Sequence, residues 1–258
     1  MCLALIALAA HPRFRLVIAA NRDEFHARVA EPAHWWPSGV LAGVDREAGG
    51  TWFGVDRRGR WALVTNYREG VARDPNAPSR GELVTRAVSD QASPLVSAAA
   101  IAADGARYHG FNLLVGESVD AAYASNRASG GISLGTGIHG LSNHLLETAW
   151  PKVVRSKTRL ATWLAAGHDT LDPLFELLGD RRQAQASALP STGVAQEWER
   201  LLSSPFIVDP RYGTRCSTVL VIASDGRARF VERSFGPDGE TTGEVAFEFA
   251  LEVRTAIR

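Results

Sequence analysis

Short apolar runs separated by turns predict β-strands at both ends of the chain. Residues 3–9 and 14–20 flank an HPR connection, which is the pattern of a β-hairpin. TWFGV at 51–55 and RWALVTN at 60–66 predict a second pair across the turn DRRG. Near the C-terminal end, further runs predict strands, the first two joined by an Asp-Gly turn: 216–224, 228–235 and 244–252. These hairpin-linked runs predict antiparallel sheet.

Apolar residues at helical spacing predict two groups of helices between these strands. Ser79 precedes the first pattern, and Ser93 precedes the second, where Pro94 occupies a position at which its missing N–H is harmless. Strand patterns return at 111–117 and 120–125, and the glycine-rich stretch 129–144 is predicted as a loop. The second helical group occupies residues 150–166, a short segment from 172, and 194–202.

The order of hairpins, helices, hairpins, helices and hairpins predicts an α+β fold. The most economical packing is two stacked antiparallel sheets with a helical layer outside each, and a plain α+β fold with one sheet is the alternative. No internal repeat, low-complexity tract or long Ser/Pro linker divides the sequence. One domain is therefore predicted over residues 1–258.

Composition narrows the classes of partner. The 28 basic and 28 acidic residues cancel, so no global field recruits nucleic acid or an anionic membrane surface. No apolar run approaches the roughly 18 residues that a membrane-spanning helix needs. The first apolar run lacks the preceding positive charge of a secretion signal, and two cysteines do not make a disulfide framework. We therefore predict a cytoplasmic protein without a membrane span or a nucleic-acid partner.

Cys2 has two interpretations. A free thiol beside the initiator methionine is commonly a small buried hydrophobe. Removal of Met1 would instead place a thiol and an α-amine, whose pKa is roughly 7.7 to 8, on one residue. Pairing of the first two predicted strands brings the neighbourhood of Asp23 beside the start of the chain, where a carboxylate can hold that amine.

Seven segments in a fixed order carry a resemblance to a known family. They are AANRDEF, GGTWFGV, LVTNYRE, SRGEL, FNLLVGE, GLSNHLLETAWPK and YGTRCSTVL. Together they resemble the NRDE family, also called the Transport and Golgi organisation protein 2 family, over nearly the whole chain. That family in turn resembles cysteine-type N-terminal-nucleophile hydrolases. The resemblance implies a four-layer αββα sandwich of two antiparallel sheets, which agrees with the predicted order of elements.

The resemblance also implies catalytic roles for individual residues. Cys2 would attack a carbonyl carbon, and Asp23 would bind its α-amine. Asn66 and Asn143 are candidates for stabilising the oxyanion, because an Asn amide can donate a hydrogen bond to it. Arg215 would support the floor of the pocket and lower the pKa of the nucleophilic thiol if it lay beside it.

Asn21, Arg22 and Trp52 are the candidate substrate-binding residues. The related amidases carry an arginine three residues before the aspartate, where this chain has Ala20. Since adjacent residues of a strand face opposite sides, Arg22 is predicted to point away from Asp23. Trp52 belongs to a cluster of tryptophans that either packs in the core or lines a pocket for an apolar ligand.

Two functions of different classes follow from this resemblance. The first is hydrolysis of a linear, non-peptide amide through Cys2 after removal of Met1, acting on a small-molecule amide or acyl substrate and needing no cofactor. The alternative is a non-enzymatic protein that binds and traffics haem, lipid or acyl-CoA. No metal site is predicted, because His139 and His144, five residues apart, do not share a helical face.

Overall fold

The computed structural model describes residues 3–71, 74–167 and 170–252. The strands are β1 (Leu3–His11), β2 (Phe14–Phe25), β3 (Ala30–Trp35), β4 (Val40–Asp45), β5 (Phe53–Asp56), β6 (Arg60–Asn66), β7 (Phe111–Glu117), β8 (Asp120–Ser125), β9 (Gly131–Ser133), β10 (Gly137–Leu141), β11 (Tyr212–Ala223), β12 (Arg227–Phe235) and β13 (Thr241–Ala250). The helices are α1 (Gly81–Ser89), α2 (Pro94–Ala103), α3 (Pro151–Ala166), α4 (Asp172–Leu178) and α5 (Gln196–Leu201).

The strands form two antiparallel sheets that pack face to face. The first sheet has the order β10-β1-β2-β11-β12-β13, and the second has the order β3-β4-β5-β6-β7-β8-β9. Helices α3 and α4 cover the outer face of the first sheet, while α1 and α2 cover the outer face of the second. The predicted four-layer αββα sandwich is confirmed, and the plain one-sheet alternative is wrong.

Successive side chains of β1 and β2 point to opposite faces of the first sheet and contribute to two different hydrophobic cores. Ala4 and Ile18 lie in the core between the sheets, together with Trp61 of the second sheet. Leu3 and Val17, on the opposite face, pack against the layer formed by α3 and α4. Because these strands are buried on both faces, their sequences are continuous apolar runs and do not alternate between apolar and polar residues.

The helix boundaries follow local signals in the sequence. The Ser93 hydroxyl accepts a hydrogen bond from the Val96 N–H at the start of α2, and Pro94 is the first helical residue. Pro151 begins α3, which ends at Gly167 in the left-handed conformation with φ 63°. Each of these boundaries lies within two residues of its predicted position.

The glycine-rich stretch predicted as a loop contains two strands, β9 and β10, so that prediction is wrong over those residues. Strand β10 forms the edge of the first sheet by pairing with β1, as in the pair Ala4 and Leu141. Gly140 is required there because a Cβ would lie 2.6 Å from Cγ1 of Val153 in α3. The pairing partner and the covering helix, rather than local propensity, make this segment a strand.

Candidate active site

The strand pair β2 and β11 positions the buried carboxylate of Asp23. Asp23 and Thr214 lie opposite each other in the register, and both are almost fully buried. The Thr214 hydroxyl donates a hydrogen bond of 2.7 Å to Oδ1 of Asp23 and accepts one of 2.9 Å from the Ile207 N–H. The carboxylate is therefore held in one orientation by a hydroxyl that is itself fixed by the backbone.

A β-bulge next to this pair changes the direction of two side chains. The register passes from Thr214 opposite Asp23 to Cys216 opposite Arg22, so Arg215 is the extra residue. In a regular strand adjacent residues face opposite sides, yet both Arg215 and Cys216 line the same cavity between the sheets. Bulges re-aim side chains in this way and are frequent beside active sites.

Arg22 faces the space between the sheets, on the side opposite Asp23. Its guanidinium lies 4.4 Å from the centre of the Trp52 ring, and its Nη2 is 3.4 Å from Oδ2 of Asp45. Gly43 of β4 leaves room for the ring, since a Cβ there would lie 2.4 Å from it. The stacked Arg22 and Trp52 side chains form a wall that we call the Arg22–Trp52 wall.

Cavities lie on both sides of the Arg22–Trp52 wall. The inter-sheet cavity, with a volume of about 190 Å³, is lined by the wall and by Arg215, Cys216 and Glu232. The smaller cavity, about 70 Å³ and more polar, is lined by the wall and by Asn66 at the end of β6. Two of the predicted substrate-binding residues therefore lie between two cavities.

Arg215 is held by backbone carbonyls rather than by a carboxylate. Its Nη1 donates to the carbonyl oxygens of Phe25, His26 and Arg28 at 3.1 to 3.2 Å. Burial and the neighbouring charge of Arg22 lower the pKa of Arg215 below its ordinary value. The side chain thus ties β11 to the segment that follows β2 while keeping a positive charge beside the inter-sheet cavity.

Asn66 and Asn143, the candidate oxyanion residues, are in direct contact. Nδ2 of the buried Asn143 donates a 2.9 Å hydrogen bond to the backbone carbonyl of Asn66. The Thr65 hydroxyl donates to the Ser142 carbonyl at 2.7 Å, and the Asn112 amide donates to the His144 carbonyl at 3.0 Å. The loop after β10 is therefore anchored to the second sheet on both sides of Asn143.

Asn21 is committed to the interior of the protein. Its amide donates 2.9 Å hydrogen bonds to the carbonyls of Leu178 and Pro205, and its Oδ1 accepts a 2.6 Å bond from the Ser217 hydroxyl. The residue is fully buried on the face that packs against the α3 and α4 layer. These contacts fasten α4 to β2, and they use the hydrogen-bonding groups that a substrate would need.

Glu232 of β12 is a buried carboxyl that sequence reasoning did not single out. Its oxygens accept bonds of 2.8 Å from the Ala33 N–H and 2.9 Å from the Thr218 hydroxyl. Burial raises the pKa of Glu232, and burial together with the charge of Glu232 raises the pKa of Cys216 well above its ordinary value. The Cys216 thiol is consequently protonated and a poor nucleophile at neutral pH.

Replacing Glu232 with glutamine is expected to stabilise the protein increasingly as pH rises. Folding raises the pKa of Glu232, so this carboxyl lowers the free energy of unfolding of the protein as pH increases from the pKa of the unfolded state through that of the folded state. Glutamine keeps the shape, accepts from Ala33 and donates to the Thr218 oxygen. Urea unfolding of both proteins at about pH 4 and about pH 8 measures the difference.

The exposed carboxyl of Glu240 supplies the control for this measurement. Glu240→Gln makes the same change of charge at an exposed position, and it should change the stability by less than about 0.5 kcal/mol. A stability difference between Glu232→Gln and the parent that does not grow with pH contradicts the raised pKa of the buried group.

Cys2 lies outside the described residues, and so does the predicted contact between its α-amine and Asp23. Its covalent neighbour Leu3 pairs with Asn21, immediately before Arg22 and Asp23. The structure brings Asp23, Arg22 and Arg215 to the same end of β2 and β11, with Trp52 across the space between the sheets. In the described part of the chain, no group of His, Cys, Asp or Glu is arranged to hold a metal ion.

The elements of the site that sequence reasoning missed are polar residues within apolar strands. Thr214 orients Asp23, Glu232 lies on the wall of the inter-sheet cavity, and Thr65 and Asn112 anchor the Asn143 loop. Asn112 carries a signal in the sequence, because it is the single polar residue of FNLLV, whereas Thr65, Thr214 and Glu232 stand beside other polar residues and carry no such signal. A buried polar residue needs a partner, and at these positions the partner belongs to the site.

Comparison with known proteins identifies the family. A sequence profile described as Transport and Golgi organisation 2 matches residues 1–237. The chain belongs to the Transport and Golgi organisation 2 family. The Transport and Golgi organization protein 2 homolog of Bos taurus is 34% identical over 261 residues, covering 93% of this chain and 94% of that protein. The Homo sapiens homolog is 32% identical over 259 residues with the same coverage. The predicted family is confirmed.

This Transport and Golgi organisation 2 family member has the fold of N-terminal-nucleophile hydrolases. The structure is similar to that of a Caenorhabditis elegans ortholog of N-acylethanolamine-hydrolyzing acid amidase, with a TM-score of 0.51. The two share 10% sequence identity, and the match covers 85% of this chain and 92% of the other. At this identity the likeness concerns the fold.

Among the described helices, none is long and apolar enough to cross a membrane.

Proposed function

We propose that this protein is an N-terminal-nucleophile hydrolase that cleaves a linear, non-peptide amide through Cys2 after Met1 is removed. The observation that carries the proposal is the buried carboxylate of Asp23, which Thr214 holds in one orientation. Asp23 lies two residues after Asn21, the strand partner of Leu3. A buried carboxylate beside the start of the chain is suited to hold an α-ammonium group. The fold shared with a solved amidase supports the same reaction class.

The register of the first hairpin supports the proposed location of the nucleophile. Leu3 lies opposite Asn21, and Ala4 lies opposite Ala20. We place the nucleophile at this end of the hairpin, because residue 2 directly precedes Leu3 and Arg22 directly follows Asn21 along the chain. The nucleophile would then adjoin the Arg22–Trp52 wall, with a cavity on each side for the two halves of an amide substrate.

The proposed reaction proceeds through a thioester. The α-amine accepts the thiol proton, the sulfur attacks the carbonyl carbon, and the oxyanion receives hydrogen bonds from amide donors of the Asn143 loop. Each such donor contributes about 2.7–4 kcal/mol where its loss has been measured. The ammonium group then protonates the leaving amine as the C–N bond breaks. Water attacks the thioester with the amine as base, releasing a carboxylic acid and restoring the thiol.

Intact-mass analysis and alkylation of the purified protein test the proposal. We expect the mass of Met1 to be missing and iodoacetamide to label Cys2 rather than Cys216, whose buried thiol has a raised pKa. Cys2→Ala should abolish turnover across a panel of acyl aminomethylcoumarins, while Cys216→Ala should retain it. Retention of Met1, or full turnover by Cys2→Ala, rules the proposal out.

The same variants separate hydrolysis from the alternative of haem, lipid or acyl-CoA binding without a reaction. A carrier should bind its ligand equally well in the parent and in Cys2→Ala, with no turnover in either protein. Haem is followed by a shift of its Soret band, and a lipid by displacement of a fluorescent fatty acid. Turnover that depends on Cys2 favours the hydrolase over the carrier.

A further inference from the structure

The inter-sheet cavity borders the guanidinium of Arg215, which no described carboxylate contacts directly. Arg215 contacts three neutral carbonyls, and none of the described carboxylates lies within 4.0 Å of its guanidinium. Nε of Arg215 and Nη1 of Arg22 are buried without a hydrogen-bond partner among the described residues. Arg22 is only 4% exposed. Burying a cation and its N–H groups without partners is unfavourable, so an anionic ligand would stabilise this arrangement.

The acidic groups on the cavity wall are already engaged. Glu31 forms an ion pair with Arg46. Glu232 accepts hydrogen bonds from the Ala33 N–H and the Thr218 hydroxyl, and burial favours its neutral form. Neither group is positioned to replace an anion at Arg215, since none of the described carboxylates comes within ion-pair distance of it.

The available charge favours a monoanion. Nη2 of Arg22 already contacts Asp45, so the charge left to balance is essentially that of Arg215. A carboxylate carries one negative charge, whereas a phosphate monoester carries close to two near neutral pH, which is more than the charge of Arg215 balances. The planar guanidinium also matches the two oxygens of a carboxylate.

We infer that the inter-sheet cavity binds a carboxylate group through Arg22 and Arg215, and that the substrate is an amide whose acyl part ends in that carboxylate. This assignment of a substrate class rests on the proposed hydrolase function. The cavity shares the Arg22–Trp52 wall with the proposed position of the nucleophile, so a short acyl chain would join the carboxylate to the scissile carbonyl.

Calorimetric titration of the Cys2→Ala protein tests the binding without requiring turnover. Hexanoate is the probe, hexanamide is its uncharged counterpart, and inorganic phosphate is the dianionic competitor. We expect hexanoate to bind about 10- to 100-fold more tightly than hexanamide, the ratio given by a charge-assisted hydrogen bond. Equal affinities for hexanoate and hexanamide overturn the inference, and so does tighter binding of phosphate than of hexanoate.

Variants of Arg215 assign the effect to this cavity. Arg215→Gln should remove the preference for hexanoate over hexanamide, and Arg215→Lys, which keeps the charge without the planar fork, should retain part of it. Arg211→Gln removes the same charge from an exposed position and should retain the full preference. Thermal unfolding verifies that each variant folds. A preference that survives in folded Arg215→Gln contradicts the inference.

Turnover by the active protein is a second test, which distinguishes failure of the carboxylate assignment from failure of the hydrolase proposal. The glutaryl and pentanoyl anilides of aminomethylcoumarin differ by one terminal carboxylate, and we expect kcat/KM to be about tenfold or more higher for the glutaryl compound. Hydrolysis of both at equal kcat/KM removes the carboxylate assignment but leaves the hydrolase proposal intact. Carboxylate binding without hydrolysis of either compound removes the hydrolase proposal and the amide substrate class with it, and leaves the carboxylate site in the cavity.

Discussion

Replacing Asp23 with asparagine is expected to lower the rate of amide turnover by about a hundredfold to ten thousandfold while the protein remains folded. Asparagine has the same shape, and its carbonyl oxygen can still accept the hydrogen bond from Thr214. It lacks the negative charge that we propose stabilises the α-ammonium of Cys2. Steady-state hydrolysis of acyl aminomethylcoumarins measures the loss, and the thermal unfolding midpoint verifies the fold.

The pH dependence of alkylation separates this electrostatic role from a structural one. Loss of the carboxylate lowers the pKa of the α-amine, so the amine accepts the thiol proton less readily near neutral pH. The midpoint of the rate of Cys2 alkylation by iodoacetamide should then move to higher pH in Asp23→Asn. This readout needs no substrate.

Asp120 provides the matched control for Asp23. Asp120→Asn makes the same change of charge at an exposed position, the first residue of β8. We expect its turnover and its alkylation midpoint to remain those of the parent. An Asp23→Asn protein that behaves like Asp120→Asn in both assays contradicts the role proposed for the carboxylate.

The neighbourhood of Asp23 could be predicted because it depends on one local pairing. Two long apolar runs joined by a short polar connection form a hairpin, and the hairpin fixes which residues lie opposite each other. Leu3 opposite Asn21 follows from that register. The predicted direction of Arg22, away from Asp23, follows from the alternation of side chains along the strand.

The partners supplied by distant parts of the chain could not be predicted in the same way. The bulge at Arg215 adds one residue without any local sequence signal, and it becomes visible only from the pairing of β11 with β2. The sequence of β10 is typical of a loop, because glycine disfavours strands. The segment nevertheless pairs with β1, and the missing side chain of Gly140 allows α3 to approach closely. The loop that carries Asn143 follows β10, so its position depends on the same tertiary pairing.

The buried ion pair between Arg68 and Glu199 has a large expected effect on stability. Nη1 of Arg68 lies 2.7 Å from Oε2 of Glu199, and both side chains are buried. Glu199→Ala leaves the guanidinium buried without its counter-charge, which is expected to cost about 3–5 kcal/mol in the free energy of unfolding. Urea denaturation measures the loss. The exposed Glu197 of the same helix is the control, and its alanine variant should change stability by less than about 0.5 kcal/mol.

This ion pair also connects α5 to the candidate oxyanion residues. The Arg68 N–H donates a 2.7 Å hydrogen bond to the Asn143 carbonyl, and the Asn143 amide donates to the Asn66 carbonyl. Glu199→Ala should therefore increase amide hydrogen exchange in the Asn143 loop and lower kcat more than it raises KM.

The double variant Arg68→Met with Glu199→Leu removes both charges and should recover much of the stability. Equal stabilities of Glu199→Ala and Glu197→Ala contradict the assignment, because the pair would then contribute no more than an exposed carboxylate.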